Sequence, residues 1–162
     1  AGDIAVANCP RHYILRSSWV IGEGHNFVKT MMGLSGRVAK GELPEVTVVD
    51  DQYGRLTFTG DMAEAIFHLL DGGAAYGTYD LTGSGTVKSW ADIACEVFDL
   101  SNGNGGKVKP ISTAEYFANA KAPVSPRPTY SALDLAKIEA TGLEVPDWEE
   151  SLKAYVTKEL KK

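Results

Sequence analysis

The segment that decides the fold of this chain is Tyr13-Ile-Leu-Arg-Ser-Ser-Trp-Val-Ile-Gly22. It opens with a short apolar run, Tyr13 to Leu15, which is typical of a buried parallel strand. The run passes directly into a polar turn that ends on glycine. In open α/β sheets, ligand-binding residues lie in loops just beyond the carboxyl ends of strands. We therefore interpret this turn as part of a binding site.

The position of this segment is as informative as its composition. Twelve residues precede it, which is too few for the strand–helix–strand units that a parallel sheet requires. Hydrophobic periodicity along the rest of the chain predicts several helices and a few short strands. We therefore expect an α/β fold that lacks most of a doubly wound sheet and begins in the middle of it.

Two helices illustrate the local predictions. The clearest helix runs from Thr59 to Leu70, with Thr59 expected as its cap and with Ile66 and Leu70 expected on its buried side. A further short helix is predicted to open at Ser131 and to stop at Gly142. No repeat or linker divides the chain convincingly, so these elements are expected to form one unit.

Composition excludes several classes of partner. The 162 residues carry a formal net charge of −5, and the pI is near 5.2, which argues against broad basic surfaces for nucleic acid or anionic membranes. No apolar run reaches the roughly 20 residues that span a bilayer, and no signal-peptide pattern is visible. Cys9 and Cys95 lack metal-ligand spacing. We expect a cytoplasmic protein with buried, reduced thiols and no metal site.

Six short motifs occur in a characteristic order along the chain. They are Arg16-Ser-Ser-Trp-Val-Ile-Gly22, Asn26-Phe-Val-Lys-Thr-Met31, Val48-Val-Asp-Asp-Gln-Tyr-Gly54, Thr57-Phe-Thr-Gly-Asp-Met-Ala63, Gly77-Thr-Tyr-Asp80 and Arg127-Pro-Thr-Tyr-Ser-Ala-Leu-Asp134. Together they resemble the C-terminal half of the dTDP-4-dehydrorhamnose reductases, which belong to the extended short-chain dehydrogenase/reductase superfamily. The resemblance implies the C-terminal substrate-binding part of an extended Rossmann-type reductase.

The N-terminal half of that family carries a glycine-rich cofactor turn and a catalytic Tyr-x-x-x-Lys pair. Neither pattern occurs in this sequence, and Ala1-Gly-Asp3 resembles the segment that follows the pair. We expect a single truncated unit in which residues 1–25 are a remnant of the Rossmann sheet and its last loops. Residues 26–162 would then be mainly substrate-binding domain.

Three residues of the turn after the first strand are candidate ligand contacts. The resemblance implies that Trp19 offers a flat apolar face to the sugar, whereas a partly buried structural tryptophan is the alternative. Ser18 is a candidate donor to the sugar, and Ser17 is a candidate donor to the cofactor. Serines are common in loops, so a purely structural role stays open for both.

Three further candidates lie outside that turn. Arg127 is framed by Pro123, Pro126 and Pro128, and its guanidinium suits a diphosphate, although a solvated or ion-paired arginine has the same pattern. Gln52 follows a predicted strand, at a place where family members shape the substrate cleft, and turn formation explains it almost as well. Asn26 is a candidate cofactor contact that helix capping alone would also explain.

The resemblance implies reduction of the C4 ketone of a deoxysugar nucleotide in dTDP-L-rhamnose biosynthesis. NADPH or NADH would be the cofactor of the full-length parent, and we expect this chain alone to bind it poorly, to contain no catalytic residue and to be inactive. A non-catalytic sugar-nucleotide-binding or scaffold module is the alternative, and an isomerase or epimerase relative is a third. Expected partners are a dTDP-sugar, the missing N-terminal Rossmann half and a second copy, through the exposed edge of the Tyr13–Leu15 strand.

Overall fold

The structure is a computed structural model that describes residues 1–118 and 125–162 of the chain. The described residues contain seven α-helices: α1 (Gly2–Ala7), α2 (Phe27–Ala39), α3 (Thr59–Asp71), α4 (Trp90–Asn102), α5 (Thr113–Tyr116), α6 (Ala136–Glu139) and α7 (Trp148–Glu159). A 3₁₀ turn covers Gly105–Lys107. None of these helices combines the length and apolar character that crossing a bilayer requires.

The strands are short and associate in pairs. Among the described residues they are β1 (Tyr13–Arg16), β2 (Val20–Ile21), β3 (Val46–Val49), β4 (Tyr53–Gly54), β5 (Thr57–Phe58), β6 (Gly77–Asp80), β7 (Lys88–Ser89) and β8 (Val108–Ile111). The pairs β1–β6, β2–β5 and β3–β8 are parallel, and β4–β7 is antiparallel. The expected mixed α/β fold with helices and a few short strands is confirmed.

Strand β1 forms where the apolar run predicted it, and it extends by one residue to Arg16. Its partner on one edge is β6, with Leu15 opposite Tyr79. In the described residues, no strand is paired with its other edge. The Arg16 guanidinium leaves the strand end to contact the Asp3 carboxylate at 2.6 Å, and both side chains are more than half exposed.

Two hydrophobic clusters hold these elements together. The larger cluster joins α2, α4 and α7 to β3 and β8, and Trp148 and Phe98 are fully buried within it. The smaller cluster packs α3 and α6 against the β1–β6 pair, around Leu69, Tyr79 and Ile138. The loop after β1 packs against the larger cluster through Trp19. Because this loop follows the carboxyl end of β1, it lies where ligand-binding loops of α/β sheets are found.

Several local predictions need correction. Helix α3 occupies the predicted span, but Thr59 lies inside the helix and makes no capping hydrogen bond, because the N-cap position belongs to Phe58. Ile66 and Leu70 were expected to be buried and are 43% and 55% exposed. They lie on a face of α3 that the described residues leave uncovered.

The helix predicted from Ser131 begins five residues later, at Ala136. The Asp134 carboxylate accepts a hydrogen bond from the Ala136 backbone N–H at 2.9 Å, which stabilises a turn before the helix starts. Cys9 is exposed and Cys95 is half-buried, both as free thiols, so the expectation of two buried thiols was wrong.

Candidate functional site

Two cavities of about 300 and 310 Å³ adjoin each other beyond the carboxyl ends of β1 and β3. They share three lining residues, Gln52, Trp90 and Arg127. The 310 Å³ cavity, called the Trp19 cavity below, is lined by Ser18, Trp19, Gln52, Trp90, Arg127, Pro128 and Ser131. All four residues predicted to bind substrate therefore line a single cavity, although they come from three separate segments of the chain.

The 300 Å³ cavity, called the aromatic cavity below, is mainly apolar and aromatic. Besides the shared residues it is lined by Phe27, Met31, Thr47, Val48, Val49, Tyr116 and Phe117. An apolar concave surface with a few polar groups is typical of small-molecule sites. Phe27 lies at the start of α2, and Tyr116 lies at the end of the short helix α5. Aromatic residues at such positions indicate packing, so the sequence analysis did not predict them as site residues.

Trp19 is held in an aromatic stack. Its ring lies 3.8 Å from that of Trp90 with an interplanar angle of 19°, and Phe27 packs against Trp90 at 4.3 Å. Gly54 approaches the same indole so closely that a Cβ there would lie 2.9 Å from Cε2. Since Cε2 is a ring-fusion atom, it can be approached only from a face. Trp90 and Gly54 thus cover the two faces, and the ring edge is left to line the cavity.

This arrangement leaves the edge of the Trp19 indole, rather than its face, available to a ligand. The face expected to stack on a sugar is covered, whereas the indole N–H lies on the ring edge. No protein acceptor is recorded for that N–H within residues 1–118 and 125–162, in contrast to Trp148, whose Nε1 donates to the Thr86 carbonyl at 2.7 Å. Trp19 also has a backbone φ of +50°, an uncommon conformation for a residue with a side chain.

The two serines of the loop have different surroundings. Ser18 Oγ donates to the Ser131 carbonyl at 2.6 Å and so joins the loop after β1 to the segment that carries Arg127. Ser17 Oγ is buried and has no hydrogen-bond partner among the described residues. Ser17 lines neither cavity, so the structure does not bring it together with the four substrate candidates.

Arg127 reaches the site through backbone pairing of its own segment. The Tyr53 N–H donates to the Thr129 carbonyl at 2.8 Å, and the Ser131 N–H donates to the Tyr53 carbonyl at 2.7 Å. Within the described residues no carboxylate forms a salt bridge with Arg127, which is exposed. Pro126 and Pro128 flank it in the chain, and Pro123 lies outside the described residues.

Gln52 is anchored on both its backbone and its side chain. Its carbonyl accepts from the Trp90 N–H at 3.3 Å, and its Nε2 donates to Thr113 Oγ1 at 2.9 Å. Asp51 accepts hydrogen bonds from the hydroxyl and the backbone N–H of Thr113. These bonds lower the pKa of the Asp51 carboxyl below its ordinary value, with the hydroxyl as the larger contributor.

Asn26 is the N-cap of α2, as the alternative interpretation held. Its Oδ1 accepts from the Lys29 N–H at 3.0 Å, and its Nδ2 donates to the Gly22 carbonyl at 2.8 Å and to the Tyr155 hydroxyl at 2.9 Å. Its carboxamide is therefore engaged by the protein itself. Asn26 lines neither cavity.

A family model described as the RmlD substrate binding domain matches residues 1–161. The chain belongs to this family. It is 39% identical over 156 residues to a dTDP-4-dehydrorhamnose reductase from Aggregatibacter actinomycetemcomitans, covering 89% of this chain and 49% of that protein. The match to the RmlD family confirms the resemblance drawn from the six motifs.

Solved structures of reductases agree with this family assignment. A dTDP-4-dehydrorhamnose reductase from Clostridium acetobutylicum is 37% identical with a TM-score of 0.80, covering 96% of this chain and 51% of that one. The reductase from Bacillus anthracis, solved in complex with NADP, is 34% identical with a TM-score of 0.73, covering 91% and 48%. This RmlD-family chain spans about half the length of the relatives it matches.

Proposed function

We propose that this chain is the substrate-recognising part of an NAD(P)H-dependent dTDP-4-dehydrorhamnose reductase-like enzyme. Such an enzyme reduces a 4-keto deoxysugar nucleotide in dTDP-L-rhamnose biosynthesis. The observation that carries the proposal is the convergence of Ser18, Trp19, Gln52 and Arg127 on one cavity beyond the carboxyl ends of β1 and β3. Membership of the RmlD family and the names of the relatives support it.

The two adjoining cavities suit the two ends of a sugar nucleotide. Arg127 lines both, and its planar guanidinium can hold diphosphate oxygens in a bidentate manner. The aromatic cavity would then receive the base, and the Trp19 cavity would receive the sugar. Trp19 and Gln52 would orient that sugar through the indole N–H and the carboxamide.

We propose that this chain alone binds NAD(P)H poorly. Ser17 and Asn26 are the cofactor candidates, yet the Asn26 carboxamide is engaged by Lys29, Gly22 and Tyr155, and the Ser17 hydroxyl is buried. NAD(P)H, when bound by the full-length enzyme, supplies the hydride. We propose that the chain alone is inactive.

The proposed division of the chain follows from the same function. Residues 1–25 would close the Rossmann part, and residues 26–162 would mainly shape the substrate cleft. The N-terminal half of the reductase would be the natural partner of the unpaired β1 edge. In its absence a second copy of this chain would use that edge, because exposed strand edges and apolar patches favour association.

Ligand binding tests the site directly. We expect the chain to bind dTDP-L-rhamnose in isothermal titration calorimetry, and Arg127→Ala to weaken binding about 10- to 100-fold, as the loss of a charged hydrogen bond predicts. Arg37→Ala is the matched control, because Arg37 lies in the last turn of α2 and pairs with Glu42. Equal affinities for the wild type and Arg127→Ala would contradict the assignment of Arg127.

Turnover separates the proposal from its alternative. The chain mixed with NADPH and dTDP-4-keto-sugar is expected to oxidise no NADPH, and sustained turnover would overturn the claim of inactivity. Adding the separately expressed N-terminal half of the Aggregatibacter relative is expected to restore turnover. A non-catalytic binding or scaffold module would bind the sugar nucleotide and gain no turnover from that addition.

A further inference from the structure

A chain of three polar side chains ends at the wall of both cavities. Asp51 accepts from the Thr113 hydroxyl and from the Thr113 backbone N–H, the latter at 2.9 Å. The Thr113 oxygen in turn accepts from Gln52 Nε2 at 2.9 Å. Gln52 lines both cavities, whereas Asp51 and Thr113 line neither.

The chemistry of Asp51 determines the direction of these hydrogen bonds. An ionised carboxylate only accepts, and the two bonds from Thr113 stabilise the ionised form by lowering the Asp51 pKa. The single hydroxyl proton of Thr113 is therefore committed to Asp51, so its oxygen can only accept from Gln52. The Gln52 carboxamide must turn its N–H group to Thr113, which leaves its carbonyl oxygen for the cavities.

We propose that Asp51 and Thr113 are positioning residues that hold Gln52 Oε1 as an acceptor in the cavity wall. No protein donor to Oε1 is recorded in the part of the chain that the structure describes. The site would then select a ligand group that donates a hydrogen bond at this point. A hydroxyl or an imide N–H fits, and a ketone oxygen does not. This ligand preference rests on the proposed function.

The same three residues link two walls of the aromatic cavity. Thr113 is the first residue of α5, whose start is stabilised by the reciprocal capping box of Ser112 and Glu115. Tyr116 and Phe117 follow at the end of this helix and line the cavity. Asp51 thus also holds α5 against the turn that carries Gln52, so its loss would move both the polar and the aromatic wall.

The orientation of Gln52 can be measured without ligand. In a ¹⁵N-labelled sample, we expect one Gln52 side-chain amide proton to exchange with solvent more slowly than the side-chain amide protons of a free glutamine peptide do. Thr113→Val should abolish this protection, and Thr113→Ser should retain it, because serine keeps the hydroxyl. Protection that survives in a folded Thr113→Val variant, or that is absent in the wild type, would overturn the proposal.

Ligand selection is tested with Gln52→Leu, titrated calorimetrically with dTDP and with dTDP-L-rhamnose. A loss of about 3- to 10-fold for both ligands places the donor on the nucleotide, and a loss for dTDP-L-rhamnose alone places it on the sugar. Unchanged affinity for both overturns the preference. If the wild type binds neither ligand, the proposed function and this preference fail together, while the exchange data still decide the orientation of Gln52.

Discussion

At the scale of single residues, the close approach of Gly54 to Trp19 leaves no room for a side chain at position 54. Any Cβ at position 54 would meet the indole at 2.9 Å, and the ring cannot retreat because it is stacked on Trp90. We expect Gly54→Ala to lower the free energy of unfolding by about 1–3 kcal/mol, as overpacking does. Urea denaturation followed by tryptophan fluorescence measures the change.

Gly33→Ala is the matched control for that substitution. Gly33 lies inside α2, and a Cβ there meets no atom within 4 Å. Alanine in an exposed helix interior is favoured over glycine, so Gly33→Ala should raise stability by up to about 1 kcal/mol. A Gly54→Ala variant as stable as the wild type would contradict the tight packing of Trp19.

The pH dependence of Asp51 is a second prediction at this scale. Its carboxyl pKa is lower in the folded protein than its ordinary value of 3.8, so the unfolded chain binds the proton more readily. The stabilisation is therefore fully present above about pH 3.8, and it is lost as the pH falls through the folded-state pKa. We expect Asp51→Asn to be less stable than the wild type at pH 6, with a difference that shrinks below pH 3.8.

Denaturation series at pH 6 and pH 3 check this dependence. Asp50→Asn is the neighbouring control, because no side-chain hydrogen bond of Asp50 is recorded in residues 1–118 or 125–162. A stability difference for Asp51→Asn that stays constant between the two pH values would show that the Thr113 bonds do not favour the ionised carboxyl.

At the scale of secondary-structure elements, the N-terminus of α4 fixes the position of Trp90, which is the first residue of that helix. Ser89 is 2% exposed and accepts from the Asp92 N–H, while the Asp92 carboxylate accepts from the Ser89 N–H. We expect Ser89→Ala to lower the free energy of unfolding by about 1 kcal/mol, because it leaves a helix N–H without its cap. Ser89→Thr keeps the acceptor and should retain most of the stability, and equal stability of both variants would contradict the capping role.

Local signals of this kind were predictable from the sequence. Asn26 caps its helix as one of its two interpretations expected, and Ser89 and the Ser112–Glu115 pair cap theirs by the same short-range pattern, because a cap depends on residues within one turn. The exposure of Leu70 was not predictable, since an apolar stripe does not reveal whether another surface covers it.

The difference between local signals and contacts distant in sequence also explains which parts of the candidate site were predictable. Ser18, Trp19, Gln52 and Arg127 were identified from short motifs, and the structure brings them to one cavity. Trp90 stands at a helix start, a position that favours packing and carries no sign of a ligand. The covered faces of Trp19 depend on Trp90 and Gly54, which are distant in sequence, so this feature required the tertiary structure.

At the scale of the whole molecule, the exposed surface beside β1 predicts self-association. Ile66, Phe67 and Leu70 on α3 are exposed, and a cavity of about 320 Å³ lies between this helix and β1. We expect concentration-dependent association in light scattering, and we expect Phe67→Lys to reduce it. Leu160→Lys is the control, because Leu160 is an exposed leucine at the end of α7. A monomer at all concentrations would contradict the prediction.

The central claim is that the paired cavities bind a sugar nucleotide, and the three tryptophans of the chain allow one direct measurement. Trp19 and Trp90 line the Trp19 cavity, whereas Trp148 is fully buried and its indole N–H donates to the Thr86 carbonyl. In ¹⁵N-resolved NMR spectra, titration with dTDP-L-rhamnose should shift the indole signals of Trp19 and Trp90 and leave that of Trp148 in place. Unchanged signals for Trp19 and Trp90 at saturating ligand would contradict the account.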